Sequence, residues 1–318
     1  MTLDTILEEI KKANSIVLLT HDSPDGDAIG SVLAMKLALK SIGKESDVIL
    51  EEFPRVYDYL PGANEIKSES DVKKYDLAIV LDSATFKRTI GTKYFEAARR
   101  TIVIDHHGSN TMFGDVNYVN HASPACCEVL AAMFTYYDIE ITRDIGICIL
   151  TGIITDTGGF QYSSVTPETF EFTAELLRKG VRVSDIYRKA LKTQTKSAFE
   201  LQKIAANRIE FLENNKVTFT YITKEDEKAV GAEAGDHEGI VNMGRDVEDV
   251  EVSIFIRQAE AGKDIQKVSL RSKSYVNVSD VGLMFGGGGH PKAAGATIPG
   301  TVEQVKKKVL TEIKKVLK

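Results

Sequence analysis

Three uninterrupted apolar runs in the first part of the chain each end at an acidic or histidine-bearing cluster. Ser15-Ile16-Val17-Leu18-Leu19-Thr20 runs into His21-Asp22-Ser23-Pro24-Asp25-Gly26-Asp27, Leu77-Ala78-Ile79-Val80-Leu81 into Asp82, and Thr101-Ile102-Val103-Ile104 into Asp105-His106-His107. A strand that is apolar at every position has no solvent face, so it belongs in a parallel sheet covered on both sides by helices. The intervening segments supply those helices. Leu3, Ile6, Leu7 and Ile10 recur at helical spacing and predict a helix over 3–13; Ile29, Leu33, Leu37 and Leu39 predict one over 28–41, stopped by Gly43. Asp47-Val48-Ile49-Leu50 reads as a further strand. In such sheets, ligand-binding groups gather beyond the carboxyl ends of the strands. Asp25, Asp27, Asp82, Asp105 and His106 are therefore expected to converge despite their separation along the chain.

The remainder changes character. Residues 124–192 read as mostly helical, with Thr166-Pro167-Glu168 a helix start built from an N-cap and a following proline. Thr195 to Leu212 reads as one long connecting helix. Strands are expected over 217–222, 250–256 and 266–270, and a last helix over 302–317 sets lysines opposite Val305, Val309, Ile313 and Val316. The expectation is an α/β protein: a domain over 1–192 with a mainly parallel sheet, a helical linker over 193–212, and a smaller α/β domain over 213–318.

Bulk composition narrows the function classes. A chain of 318 residues, 43% hydrophobic and 27% charged, can bury a substantial core. Its start, Met1-Thr2-Leu3-Asp4, lacks the basic, apolar pattern of a secretory leader, and no apolar run approaches the roughly 20 residues of a membrane helix. A cytoplasmic protein is expected. Cys126, Cys127 and Cys148 show no metal or redox spacing and read as small buried residues. The net charge of −6 argues against a grip on long duplex nucleic acid and for a small anionic substrate in a local pocket.

The polar clusters carry the chemistry. Asp156 adds to them from Thr151-Gly152-Ile153-Ile154-Thr155-Asp156, a small and apolar setting in which a carboxylate needs a partner. Four of the six histidines lie in these clusters or in the glycine run described below. Crowded carboxylates stay ionised only when cations compensate them. Mixed imidazole and carboxylate donors suit Mn²⁺ first, with Mg²⁺, Co²⁺ or Zn²⁺ as alternatives. Two such ions about 3.5–4 Å apart can share a carboxylate and clamp both oxygens of an in-line displacement at phosphorus. Near the other end, Phe285-Gly286-Gly287-Gly288-Gly289-His290-Pro291 is expected to be neither a helix nor a strand interior. Its backbone amides could cradle an anion, with His290 and Arg271 beside it.

His21-x-x-x-Asp25-x-Asp27, Asp82, Asp105-His106-His107 and Asp156 resemble the four motifs of the DHH phosphoesterase superfamily. Leu270-Arg271-Ser272 and the Gly-Gly-Gly-Gly-His run resemble the accompanying DHHA1 domain. Glu238-Gly239-Ile240-Val241-Asn242 resembles the subgroup of nanoRNA and pAp phosphatases, from which Lys273-Ser274-Tyr275 and Pro291 depart. The likeness runs from residue 15 to about 296. It implies that the first domain is a DHH domain and the second a DHHA1 domain. It further implies that His21, Asp25 and Asp82 hold one divalent metal, and that Asp27, Asp82, His106 and Asp156 hold the other. His107 would lie near the scissile phosphate, with Asp105 orienting a histidine. Arg271, Ser272, Gly287, Gly288, Gly289 and His290 would hold the far end of a short nucleotide.

The expected activity is metal-dependent, with Mn²⁺ first: hydrolysis of short oligoribonucleotides (nanoRNA) to mononucleotides, and removal of the 3′-phosphate of pAp to give AMP. The alternatives are a phosphodiesterase for cyclic or linear dinucleotides of the c-di-AMP/pApA type, a RecJ-like single-strand exonuclease, a family II pyrophosphatase, or a nucleotide-binding regulator without turnover. The substrates would be its partners, with no membrane or long duplex among them; a homodimer is a family-based expectation.

Overall fold

The computed structural model describes residues 2–233 and 235–318, which form two compact units, residues 1–193 and 194–318. The first unit is built on five strands: β1 (Ile16–Leu19), β2 (Ser46–Val48), β3 (Leu77–Leu81), β4 (Arg100–Asp105) and β5 (Val116–Val119). They pair in the order β2-β1-β3-β4-β5, all parallel. Around them lie α1 (Thr2–Lys12), α2 (Gly26–Ser41), α3 (Thr92–Ala97), α4 (Cys126–Tyr136), α5 (Arg143–Asp156), α6 (Pro167–Arg178) and α7 (Val183–Tyr187).

Strand alternation divides the apolar side chains between two layers. Ile16, Leu18, Leu77, Ile79, Leu81, Ile102 and Ile104 pack into the large core shared with α2, α4 and α5. Val17, Leu19, Ala78, Val80 and Val103 point the other way, onto Tyr75, Tyr94 and Phe95. Both faces are therefore dry, as the unbroken apolar runs require, and truncating one of the leucines or isoleucines among them to Ala would cost about 2–5 kcal/mol. Cys126, Cys127 and Cys148 are all free and buried.

The second unit opens with α8 (Lys196–Asn207) and continues through β6 (Glu210–Leu212), β7 (Val217–Ile222), α9 (Lys224–Val230), α10 (Ile240–Arg245), β8 (Val252–Gln258), β9 (Ile265–Ser272), α11 (Val278–Leu283), β10 (Gly288–His290), β11 (Ala293–Pro299) and α12 (Val302–Val316). Its sheet runs β10-β11-β9-β8-β7-β6 and is mixed, with β7 and β8 parallel and the other pairs antiparallel. Val305, Val309 and Ile313 of α12 close its core and leave Lys307, Lys308, Lys314 and Lys315 exposed, while Lys306 is drawn in over the Phe219 ring and Val316, expected on the core side, is exposed.

Three expectations need correction. The helix expected over Thr195–Leu212 stops at Asn207 and groups with the second unit; Phe211 pairs with Thr218, so 210–212 is an edge strand. The start expected at Ala28 lies at Gly26, because Asp25 caps the helix and draws Asp27 into its first turn. The glycine run contains a strand. Gly288, Gly289 and His290 pair with Gly295, Ala294 and Ala293 as an edge hairpin. Without side chains, this stretch shows no alternation in the sequence from which a strand could be read. Among the described residues, no helix is long and apolar enough to cross a membrane.

Candidate metal centre

The carboxyl ends of β1, β3 and β4 deliver the first group of polar side chains. His21 follows β1 and bridges to Thr89 across an isolated antiparallel pair. Asp82 follows β3 at φ 54°, a left-handed backbone that Asp tolerates better than most residues. Its N–H donates to the Ile104 carbonyl at 3.1 Å, which ties the turn to the neighbouring strand. Asp105 ends β4, and His106 and His107 come directly after it.

Helices supply the rest. Asp25 is the N-cap of α2, its Oδ1 accepting the Asp27 and Ala28 N–H groups at 3.0 and 3.1 Å. Asp27 is fully buried and accepts the N–H groups of Cys126 and Cys127 at 2.6 and 2.9 Å. Those are the first residues of α4, so the positive end of that helix faces the carboxylate. Asp156 is the last residue of α5. The two helices α2 and α5 cross at small residues: a Cβ added to Gly30 would lie 2.6 Å from the Cys148 oxygen, and one on Gly152 only 2.3 Å from Asp27 Oδ1. That close crossing brings Asp27 beside Asp156.

The side chains meet in overlapping groups whose ligand atoms lie within 4.8 Å of one another: His21, Asp25 and Asp82; Asp27, His106 and Asp156; and Asp82, Asp105, His106 and His107. His106 Nε2 is 3.3 Å from Asp156, 3.4 Å from Asp82 and 3.8 Å from Asp27. Its Nδ1 lies 3.3 Å from the Ser123 carbonyl, which assigns the neutral ring's proton to Nδ1 and turns Nε2 toward the acids. His21 Nε2 is 3.6 Å from Asp82 Oδ2. His107 takes a different partner, with Nδ1 2.8 Å from Asp105 Oδ1. Asn110 Nδ2 donates to the other Asp105 oxygen at 2.6 Å.

Charge at the centre is unbalanced. Burial, reinforced by Asp82, pushes the Asp27 carboxyl up to about 7. Burial and then the Asp27 and Asp25 carboxylates drive Asp156 well above the usual range. Against the pull of burial, His106 and His21 hold Asp82 well below it. Likewise against burial, Asp82 and Asp156 hold the His106 imidazole well above its usual value. Asp82 Oδ1 is buried with no donor in hydrogen-bonding geometry. A cage that retains protons on carboxylates and still leaves a buried oxygen unsatisfied is one that divalent cations complete. Its oxygen and imidazole donors fit Mn²⁺, Mg²⁺ or Co²⁺.

Several contributors carry no mark in the sequence. Asn110, the Ser123 carbonyl and the first amides of α4 all reach the centre through folding. The second-unit candidates belong to that unit's own sheet and its edge hairpin. Arg271 stands on β9, with Nη1 donating to the Leu270 carbonyl at 3.0 Å. Ser272, expected as a substrate contact, is 4% exposed and its hydroxyl donates to the Val276 carbonyl at 2.7 Å. A Cβ on Gly287 would lie 2.0 Å from the Gly295 oxygen, and one on Gly289, at φ 144°, 2.3 Å from the Ala293 oxygen. The hairpin therefore demands glycine at both, while Gly288 faces open space and His290 is exposed.

Residues 15–153 match the DHH family, N-terminal domain, and residues 214–318 match the DHHA1 domain. A bifunctional oligoribonuclease and PAP phosphatase NrnA of Thermus thermophilus is 34% identical, over 98% of this chain and 94% of its own. A probable bifunctional oligoribonuclease and PAP phosphatase NrnA of Streptococcus mutans is 29% identical, over 99% and 98%. The crystal structure of an exopolyphosphatase-related protein from Bacteroides fragilis superposes with a TM-score of 0.86 at 29% identity, covering 99% of this chain and 96% of that one. With both domains matched in order and a relative aligned from end to end, the chain belongs to the DHH family and carries a DHH domain followed by a DHHA1 domain.

Proposed function

We propose that the protein is a metal-dependent phosphoesterase that hydrolyses short oligoribonucleotides to mononucleotides and removes the 3′-phosphate of pAp. The observation that carries this reading is the cage of buried Asp27, Asp82 and His106 with half-buried Asp156, unbalanced in charge and joined through Asp82 to His21 and Asp25. The names of the Thermus and Streptococcus relatives support the substrate class. In this reading His21, Asp25 and Asp82 hold one ion, and Asp27, Asp82, His106 and Asp156 hold the other, with Mn²⁺ the first choice. Bound there, two divalent ions supply Lewis-acid stabilisation of charge on the phosphoryl oxygens and lower the pKa of water.

The chain's own groups do the rest. Asp105 takes the Nδ1 proton of His107 in a hydrogen bond and, braced by Asn110, fixes the plane of that ring. Nε2 of His107 is then the ring atom that meets the phosphate, and it delivers a proton to the leaving oxygen when the ring is charged. Asp25 and Asp27 are anchored by backbone amides before any ion binds, so the cage needs little rearrangement. Arg271, Gly288 and His290 of the second unit select the substrate by its far phosphate. Incubation of the purified protein and Mn²⁺ with RNA of two to five nucleotides and with pAp tests the reading. Mononucleotides and AMP are the expected products. Full activity after stringent chelation, or in Asp82→Ala, would refute it.

A further inference from the structure

Immediately after Asp156 the chain does something costly. Gly158, Gly159 and Phe160 all have positive φ, 59°, 73° and 68°. Two glycines adopt that backbone freely, but a bulky aromatic residue does not, and such strain persists where the surroundings impose it. Here the Thr157 hydroxyl accepts the Phe160 N–H at 3.0 Å, and the Thr157 carbonyl accepts the Gln161 and Tyr162 N–H groups at 2.9 and 3.1 Å. The result is that the Phe160 ring stacks on Phe170 of α6, with centroids 5.4 Å apart and planes at 26°. Phe170 is 55% exposed, whereas the core-facing positions of its helix are Thr169, Thr173 and Leu176.

A second, independent feature borders the same turn. A Cβ on Gly159 would lie 2.4 Å from the Tyr187 ring and 3.4 Å from Leu191, so the segment 187–192 packs against it. That segment winds as a π-helical turn over Arg188–Lys192, a rare geometry that recurs at functional sites. Lys189 Nζ stands 4.5 Å from the Tyr59 ring centroid and Lys192 Nζ 5.7 Å from that of Tyr187. Among the described residues, neither lysine nor Arg188 has an acidic partner within ion-pair distance. A stacked pair with its outer ring, Phe170, exposed, beside lysines that no carboxylate neutralises, offers what a single-stranded nucleic acid needs: a ring for a base and charge for phosphates.

Building on the proposed function, we infer that Phe160 and Phe170, with Arg188, Lys189 and Lys192, form a stacking strip through which the first unit itself holds a base and its phosphate beside the metal cage. The strip sets preference for nucleotides over other phosphoesters, separately from any selection by the second unit.

The test is steady-state kinetics of the full-length protein with Mn²⁺, on an RNA trinucleotide and on a ribose-phosphate trimer that carries no bases. Loss of one stacking contact predicts that Phe170→Ala raises KM for the trinucleotide roughly 5- to 150-fold with kcat within about twofold. KM for the base-free trimer should not change, and Phe170→Trp should restore the trinucleotide KM. Lys189→Ala/Lys192→Ala should raise KM for both trimers and flatten its dependence on salt. An unchanged trinucleotide KM in Phe170→Ala, or an equal rise for the base-free trimer, overturns the inference. So does an altered oligomeric state with nucleotide kinetics intact, which would mark the face as a contact between copies. If the wild-type protein cleaves no oligonucleotide, the functional reading fails, and anisotropy of a labelled trinucleotide decides the strip by itself. Binding that Phe170→Ala weakens upholds the strip, and absence of wild-type binding sinks it.

Discussion

Each unit buries carboxylates, and the contrast between them separates a site from a scaffold. In the second unit Glu251 is 4% exposed and accepts N–H groups of Ser274, Tyr275 and Val276 as well as the Ser274 hydroxyl, at 2.6 to 3.2 Å. Against burial, those donors hold it below the usual carboxylate range. It needs nothing more. In the first unit Asp27 and Asp156 are driven upward, and an oxygen of Asp82 has no donor. Burial alone does not distinguish the two cases; hydrogen-bond accounting does.

The contrast can be broken at several points. The largest effect is expected from Asp82→Ala, which should cut kcat by about 10³-fold or more and abolish tight Mn²⁺ binding by calorimetry, with the fold retained. Glu251→Ala should do the reverse, lowering the unfolding free energy by about 1–3 kcal/mol while kcat holds. Asn110→Ala should lower kcat about 10- to 100-fold by releasing Asp105, a loss read best with saturating metal.

A pH experiment sharpens the same contrast. The raised Asp27, Asp156, His106 and His21 groups stabilise the metal-free fold when protonated, and that contribution is lost as pH rises through their folded values, about 7 for Asp27. Melting of the chelated protein should therefore occur at lower temperature at pH 8 than at pH 6. With Mn²⁺ the order should reverse, because the ions require deprotonated ligands. Equal pH slopes with and without metal would place the ions elsewhere. The smallest effects concern the glycine strand. Gly289→Ala should destabilise the second unit by about 1–3 kcal/mol through its φ of 144° and contact with Ala293. Gly288→Ala should leave stability alone and raise KM severalfold if a phosphate approaches that backbone.

The first unit was the more legible in sequence, for a physical reason. Leu77 to Leu81 ending at Asp82 announces both a two-sided buried strand and its functional end, and the order of the sheet then brings the ends together. The crossing of α2 and α5 was hidden, because Gly26, Gly30 and Gly152 signal a close approach only when the partner helix is known. The bracing of Asp105 by Asn110 and of His106 by Ser123 was equally silent, since such bonds depend on loop geometry. In the second unit, the glycine strand erased its own pattern. Ser272 was expected through the likeness of Leu270-Arg271-Ser272 to the DHHA1 domain, and the neighbours alone do not tell that alternation along β9 sets it on the face opposite Arg271.

Asp27 joins two tasks that most proteins keep apart. Its oxygens receive the opening amides of α4 at the same time as they face His106 and Asp156. A descendant that abandoned catalysis could not simply let this position drift, because Ala or Leu there would strip the start of a buried helix of its acceptor. Asn would be the tolerable exit, since it keeps an oxygen for the helix and gives up the charge. A member of this lineage retired from chemistry should therefore be recognisable by which replacement it carries at this one position, while its other acids wander freely.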